Sequence, residues 1–158
     1  MTSTETTKQF TSSSEVGRRN IEVVNEFFSL YLGDIDRFYS LWVDKDPIVS
    51  TPFVVKSVEV VAVETHVGWE AVKAFWDPIH LEMKGKFDWV IDDIIVGENP
   101  NTLVVRSRSD VDVNAGERRG NKHVTYQGRY VQIFTFVDRK IQSFEEYFDT
   151  VDIVKAYS

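Results

Sequence analysis

No cysteine occurs in the 158 residues. Disulfides, thiolate nucleophiles and cysteine-ligated metals are excluded, so any chemistry must come from carboxylates, histidines, tyrosines or arginines. Histidine is scarce too. His66, His80 and His123 are dispersed and lack carboxylates at metal-ligand spacing, so neither a metal nor another cofactor is expected. A basic surplus is also missing: 18 Lys and Arg against 25 Asp and Glu leave a net charge of −7. Such a surface offers no long-range attraction to phosphate backbones or anionic membranes, which argues against both as partners. No run approaches the roughly 18 apolar residues that a bilayer span requires, and the N-terminal residues lack the greasy stretch of a secretory signal. The cytoplasm is the default expectation. There is no internal repeat and no low-complexity linker.

Aromatic residues are abundant, with 11 Phe, 6 Tyr and 4 Trp. They suit the wall of a cavity for a flat or greasy ligand. The length fits a single domain with a real core. Residues 1–14 are mostly Thr, Ser, Glu and Lys without apolar periodicity and read as a disordered tail, which leaves 15–158 as the domain.

From Ser14 on, Val16, Ile21, Val24, Phe27, Phe28, Tyr31 and Leu32 recur at helical spacing and stop at Gly33. A shorter helix is predicted over 36–42, with Phe38, Leu41 and Trp42 on its stripe, before Asp46-Pro47 breaks the pattern. Residues 48–54 and the valine-rich 56–67 read as strands. A third helix starts at Gly68 and carries Val72, Phe75, Trp76, Ile79 and Met83 past Pro78, which should kink or split it. Everything after that reads as extended: strands over 87–96, 102–113, 123–137 and 141–149. Helices followed by an antiparallel meander define an α+β domain, a cone-shaped barrel of curved sheet wrapped around N-terminal helices and enclosing a pocket.

The last strand holds the best chemical clue. Successive strand side chains alternate between faces, so Gln142, Phe144, Glu146 and Phe148 share one side, and Glu146 sits between two phenylalanines. A carboxylate on an apolar wall is costly to ionise. Its proton affinity rises, and it becomes able to exchange protons with a substrate near neutral pH. On the preceding strand Val124, Tyr126, Tyr130, Phe134 and Phe136 form an aromatic wall in which Tyr126 can donate to a developing oxyanion. Further candidates for the wall are Phe28, Tyr31, Trp42, Trp76, Trp89, Phe144 and Phe148. His66, just ahead of Gly68, and His80, on the third helix, are candidates to share proton transfer with Glu146, whereas His123 falls in a loop. Arg106, Arg108, Asp110 and Asp112 share a parity that ordinarily marks a solvated sheet face. Arg108 and Asp110 reach the pocket only if their strand bends over its mouth.

This order of elements resembles the nuclear transport factor two-like superfamily and, within it, the SnoaL-like enzymes. Phe87-Asp88-Trp89, Asp93-Ile94, Asn99-Pro100-Asn101, Phe134-Thr135-Phe136 and Glu146-Tyr147-Phe148 resemble the phenazine biosynthesis A/B proteins. That resemblance implies Glu146 as acid/base and Tyr126 facing the ligand. Arg108-Ser109-Asp110 and Glu145-Glu146-Tyr147-Phe148-Asp149 are similar to limonene epoxide hydrolases, with Glu146 in the place of their second aspartate. The resemblance to the superfamily also implies a homodimer through the outer face of the curved sheet.

The function expected on these grounds is cofactor-free acid/base isomerisation, cyclisation or dehydration of a hydrophobic cyclic or polyunsaturated substrate. Epoxide hydrolysis by Asp110, Arg108 and Glu146 ranks second, because no Tyr and Asn stand near Ile48 and Ser50 to hold a water. A ligand-binding module without turnover is the third possibility.

Overall fold

A computed structural model describes residues 10–158; the expected tail lies outside the described residues as far as Gln9. From Phe10 on the chain is engaged. Phe10 packs against the core, and the Ser12 carbonyl accepts from Arg18 Nη1 at 2.9 Å. Local hydrogen bonds order this stretch despite its lack of apolar periodicity.

Helix α1 (Glu15–Ser29) begins where Ser14 accepts from the Gly17 amide and buries Ile21, Val24, Phe27 and Phe28 along one stripe. Buried Asn20 donates to the Pro100 carbonyl at 3.0 Å and to Asn101 Oδ1 at 3.1 Å, which fastens α1 to a hairpin turn 80 residues away. Helix α2 (Ile35–Ser40) is capped by Asp34. Helix α3 (Trp69–Asp77) starts at Gly68, whose φ of 86° favours glycine. Pro78 does not stop the helical path but switches it to one π-type turn, Pro78–Glu82, that buries Ile79 and His80. Among the described residues no helix is long and apolar enough to cross a membrane.

Six strands, β1 (Ile48–Ser50), β2 (Thr65–Val67), β3 (Lys84–Val96), β4 (Thr102–Asn114), β5 (His123–Val137) and β6 (Lys140–Phe148), form one sheet in the order β2-β1-β6-β5-β4-β3. β1 runs parallel to β6, and the other pairings are antiparallel. The sheet is curved and open, with β2 and β3 as its edges, in agreement with the expected cone of mostly antiparallel curved sheet.

The β4–β5 register is unbroken from Thr102 opposite Thr135 to Asn114 opposite His123. Odd residues of β4 and even residues of β5 therefore face the helices throughout, as their alternating burial shows. Two bulges change the parity elsewhere, at Asp92 in β3 and at Gln142 in β6. The second corrects the sequence reading. Ile141 and Phe144 are both buried, while Gln142 leaves their face and donates to the Asp46 carbonyl at 3.0 Å.

Two expected elements differ and one element was not expected. The strand over 48–54 shortens to β1, and the valine-rich 56–67 is mostly a loop with a 3-10 turn at Glu59–Val61, leaving only β2 extended. Burial of Val58 and Val61 against the core explains those valines without a strand. The chain also ends in a helix, α4 (Thr150–Tyr157), in which Asp149 accepts from the Val151 and Asp152 amides.

Candidate active site

Between the sheet, α3 and α4 lies a cavity of about 60 Å³, with walls that include Tyr31, Trp76, Trp89, Tyr126, Tyr130 and Glu146. Val60 and Val61 of the 3-10 turn, with Ile153 and Tyr157 of α4, form its rim. Glu146 is the sole carboxylate in that lining among the described residues.

The sheet register explains how the acid is held. Glu146 of β6 lies directly opposite Gln132 of β5, and Gln132 Nε2 donates to Glu146 Oε2 at 3.0 Å. Gln132 is fully buried, and its Oε1 accepts from Ser107 Oγ at 2.6 Å. Ser107 thereby fixes which end of the Gln132 amide faces the acid. One carboxylate oxygen is occupied, and no hydrogen bond engages Oε1 among the described residues. Burial pushes the Glu146 carboxyl up to about 7, and the Gln132 hydrogen bond draws it back only in part. The residue retains some accessible surface, and its carboxyl lies against the cavity.

Three phenols stand around this acid. Tyr31 and Tyr130 are raised well above the ordinary tyrosine value by burial and then by the Glu146 charge. Tyr130 Oη is hydrogen-bonded to Ser109 Oγ at 2.8 Å. Burial pushes Tyr126 up to about 12, offset in part by the adjacent Tyr130 hydroxyl. The two phenols nevertheless make no hydrogen bond of acceptable geometry, and Tyr126 Oη is buried without a partner among the described residues. Gly128 makes room for this pair: a Cβ there would stand 2.5 Å from Tyr126 Cε1 and 2.5 Å from Tyr130 Oη. The indole N–H groups of Trp76 and Trp89 are likewise buried and unpartnered among the described residues. The wall thus combines one acceptor acid with several unused donors.

Other expected site residues lie elsewhere. Arg108 and Asp110 are on the outer sheet face, where Arg108 makes two bonds of 2.9 Å to Asp92 and Asp110 pairs with Lys86 at 2.6 Å. The anticipated inward bend does not occur, because β4 carries no bulge against β5 and keeps its even residues outward. His66 is half-buried, its ring 5.2 Å from that of Phe75 and its proton affinity lowered by burial, and it is outside the cavity wall. His80 is buried beneath Phe38 at 4.2 Å and accepts at Nδ1 from the Leu32 amide. Burial pushes it down to about 4, so it stays neutral and has no access to the cavity. Phe28, Trp42, Phe144 and Phe148 are core residues behind the wall rather than part of it.

Gln132, Ser107, Ile153 and Tyr157 are site residues that the sequence reading missed. Gln132 shares the parity of Tyr126 and Tyr130 on β5, which marks it as inward-facing among aromatic residues. Ile153 and Tyr157 lie on the unexpected α4. No group of His, Asp and Glu among the described residues is arranged to hold a metal ion.

The sequence matches no protein-family model and, at the significance required, no curated protein. Solved structures do match. A nuclear transport factor two-like protein of unknown function from Burkholderia pseudomallei superposes with a TM-score of 0.65 at 17% identity, over 89% of this chain and 98% of that one. The chain has the nuclear transport factor two-like fold. A phenazine biosynthesis-related protein from Pseudomonas aeruginosa shares this fold at a TM-score of 0.68 and 18% identity, over 95% of this chain and 87% of that one. The epoxide hydrolase/cyclase-like enzyme SalBIII, of pyran ring formation in the polyether salinomycin, matches at 0.62 and 14% identity, over 85% and 94%. Proteins related to phenazine biosynthesis and to epoxide hydrolase/cyclase chemistry therefore occur among the structural neighbours of this chain.

Proposed function

We propose that the protein is a cofactor-independent acid/base enzyme that moves a proton on a flat, hydrophobic, carbonyl-bearing substrate, in an isomerisation, cyclisation or dehydration. The observation that carries this reading is Glu146, a carboxyl held near pKa 7 inside an aromatic wall, with one oxygen fixed by Gln132. Ionised Glu146 takes a proton from the carbon beside the carbonyl, and the resulting glutamic acid returns it elsewhere on the same face. The enolate oxygen needs a donor that is unspent in the resting protein; the free Tyr126 hydroxyl meets that need. A group raised only to about 7 populates both protonation states at neutral pH, which a reversible shuttle requires.

The test is deuterium incorporation from D2O at the α′- and γ-carbons of a panel of cyclic enones, followed by NMR. Wild type is expected to accelerate exchange on at least one panel member, with a rate that rises as pH passes upward through about 7, because the ionised acid is the base. Glu146→Gln is expected to lower that rate roughly 10²- to 10⁴-fold with ligand affinity retained. Exchange that persists in Glu146→Gln would rule the role out.

The cavity's size favours a second reading, a binding module without turnover. At about 60 Å³ it falls far below the roughly 300–1,000 Å³ of pockets for drug-sized ligands, so a ring system enters only if the α4 rim yields. Ligand binding with no exchange on any panel member would select that reading. Epoxide opening loses its Arg–Asp pair, since Arg108 and Asp110 face away from Glu146.

A further inference from the structure

Outside the cavity wall, but next to residues of its rim, lies a cation that the proton-transfer reading does not use. Arg119 ends the 3-10 turn Glu117–Arg119 between β4 and β5, and its side chain is only 10% exposed. Both of its terminal amino groups, Nη1 and Nη2, are buried without a hydrogen-bond partner among the described residues. The neighbouring Arg118 takes the shorter contacts to the nearby acids, 2.7 Å to Glu59 and 3.2 Å to Glu82. Arg119 keeps one long contact, from Nε to Glu59 at 3.4 Å. Burying the four N–H donors of the two amino groups without a partner is costly, and a ligand that accepts from them would remove that cost.

Its surroundings tie Arg119 to the cavity. Glu59 opens the 3-10 turn whose Val60 and Val61 line the rim. Tyr157, also in the lining, has a phenol close enough for the Arg119 charge to oppose the rise that burial causes. Lys122 fastens the end of α4 over this corner by donating to the Tyr157 carbonyl at 2.6 Å. The free fork thus belongs to a side chain that neighbours two parts of the rim, the 3-10 turn through Glu59 and the end of α4 through Tyr157.

We propose that Arg119 is the anion subsite of this cavity and binds a carboxylate on the substrate through its two free amino groups, so that the substrate class is a hydrophobic ring acid. The inference rests on reading the cavity as a substrate site. A planar carboxylate matches the guanidinium fork with two parallel bonds. Entry of the acid displaces the Tyr157 end of α4, uncovers the fork, and leaves the ring against the aromatic wall that holds Glu146.

The probes are 2-naphthoate and its neutral isostere 2-naphthamide, titrated calorimetrically at pH 6, where Glu146 is mostly protonated and does not repel an anion. Wild type is expected to bind naphthoate about tenfold or more tightly than naphthamide. Arg119→Gln is expected to erase that preference with naphthamide affinity unchanged, Arg119→Lys to retain part of it, and Glu146→Gln to retain it fully. No naphthoate binding, equal affinities in wild type, or a preference that survives in Arg119→Gln would each overturn the subsite. Should Arg119→Gln fail to fold, an undiminished preference in Arg119→Lys overturns it instead, because a point charge lacks the fork. Naphthamide binding without a naphthoate preference removes the anion subsite and leaves the Glu146 reading intact. Enone exchange independent of Glu146, with the preference present, does the reverse.

Discussion

Glu146 carries a stability signature of its own. Its folded value of about 7 stands above the ordinary 4.5, so the native state holds the extra proton between those limits. Stability is fully present below about pH 4.5, declines as pH rises to about 7, and is flat beyond, with a total loss of about 3 kcal/mol at most because the residue keeps some accessible surface. Glu146→Gln cannot ionise. It is expected to match wild type at pH 4.5 and to exceed it at pH 8 in urea unfolding; equal stabilities at pH 8 would mean the acid is not desolvated. Gln132→Leu removes the one hydrogen bond that lowers the Glu146 value, so the alkaline-rising limb of the exchange rate is expected to move to higher pH. The same change strands the Ser107 hydroxyl, at a cost of about 1–3 kcal/mol. Glu146 was legible from strand parity alone, because Phe144 and Phe148 flank it on a regular stretch. Gln132 was legible by the same rule but carries no chemistry until a register sets it opposite the acid.

The regular elements were readable wherever periodicity ran long. α1 declares itself through its stripe and Ser14 cap, and β5 was expected over the very span it occupies. Failures came where apolar residues serve tertiary contacts instead of a repeat. Val58 and Val61 look like a strand but are plugs in a loop, and α4 is too short for its Ile153 to establish a helical stripe. The missed signal for α4 was its cap. Asp149 accepts from two amides of the first turn, so Asp149→Ala is expected to weaken α4 locally by about 0.5–2 kcal/mol. Hydrogen exchange of the α4 amides should speed up while the amides of β4 and β5 stay protected. Uniform acceleration across the sheet would instead make α4 integral to the global core.

At the scale of the whole molecule the aromatic residues divide into two shells that sequence patterning cannot separate, since both share the same stripes and strand faces. Phe27 is the hub of the inner shell, with ring contacts to Phe38 at 5.1 Å, Phe134 at 5.1 Å, Phe144 at 5.2 Å and Trp76 at 5.7 Å. It joins α1, α2, α3, β5 and β6. Phe27→Ala is expected to cost about 3–5 kcal/mol, a large part of the 5–15 kcal/mol that holds a domain folded. Tyr126 belongs to the outer shell, on the inward face of β5 where that strand lines the cavity. Its hydroxyl is buried with no partner among the described residues, so the fold gains nothing from that oxygen and bears its desolvation. Tyr126→Phe is therefore expected to leave thermal stability unchanged or raised, while slowing enone exchange roughly 10²- to 10³-fold if the phenol serves the enolate. A variant that loses stability along with activity would show the hydroxyl to be structural, and one that keeps full activity would leave the enolate without its proposed donor.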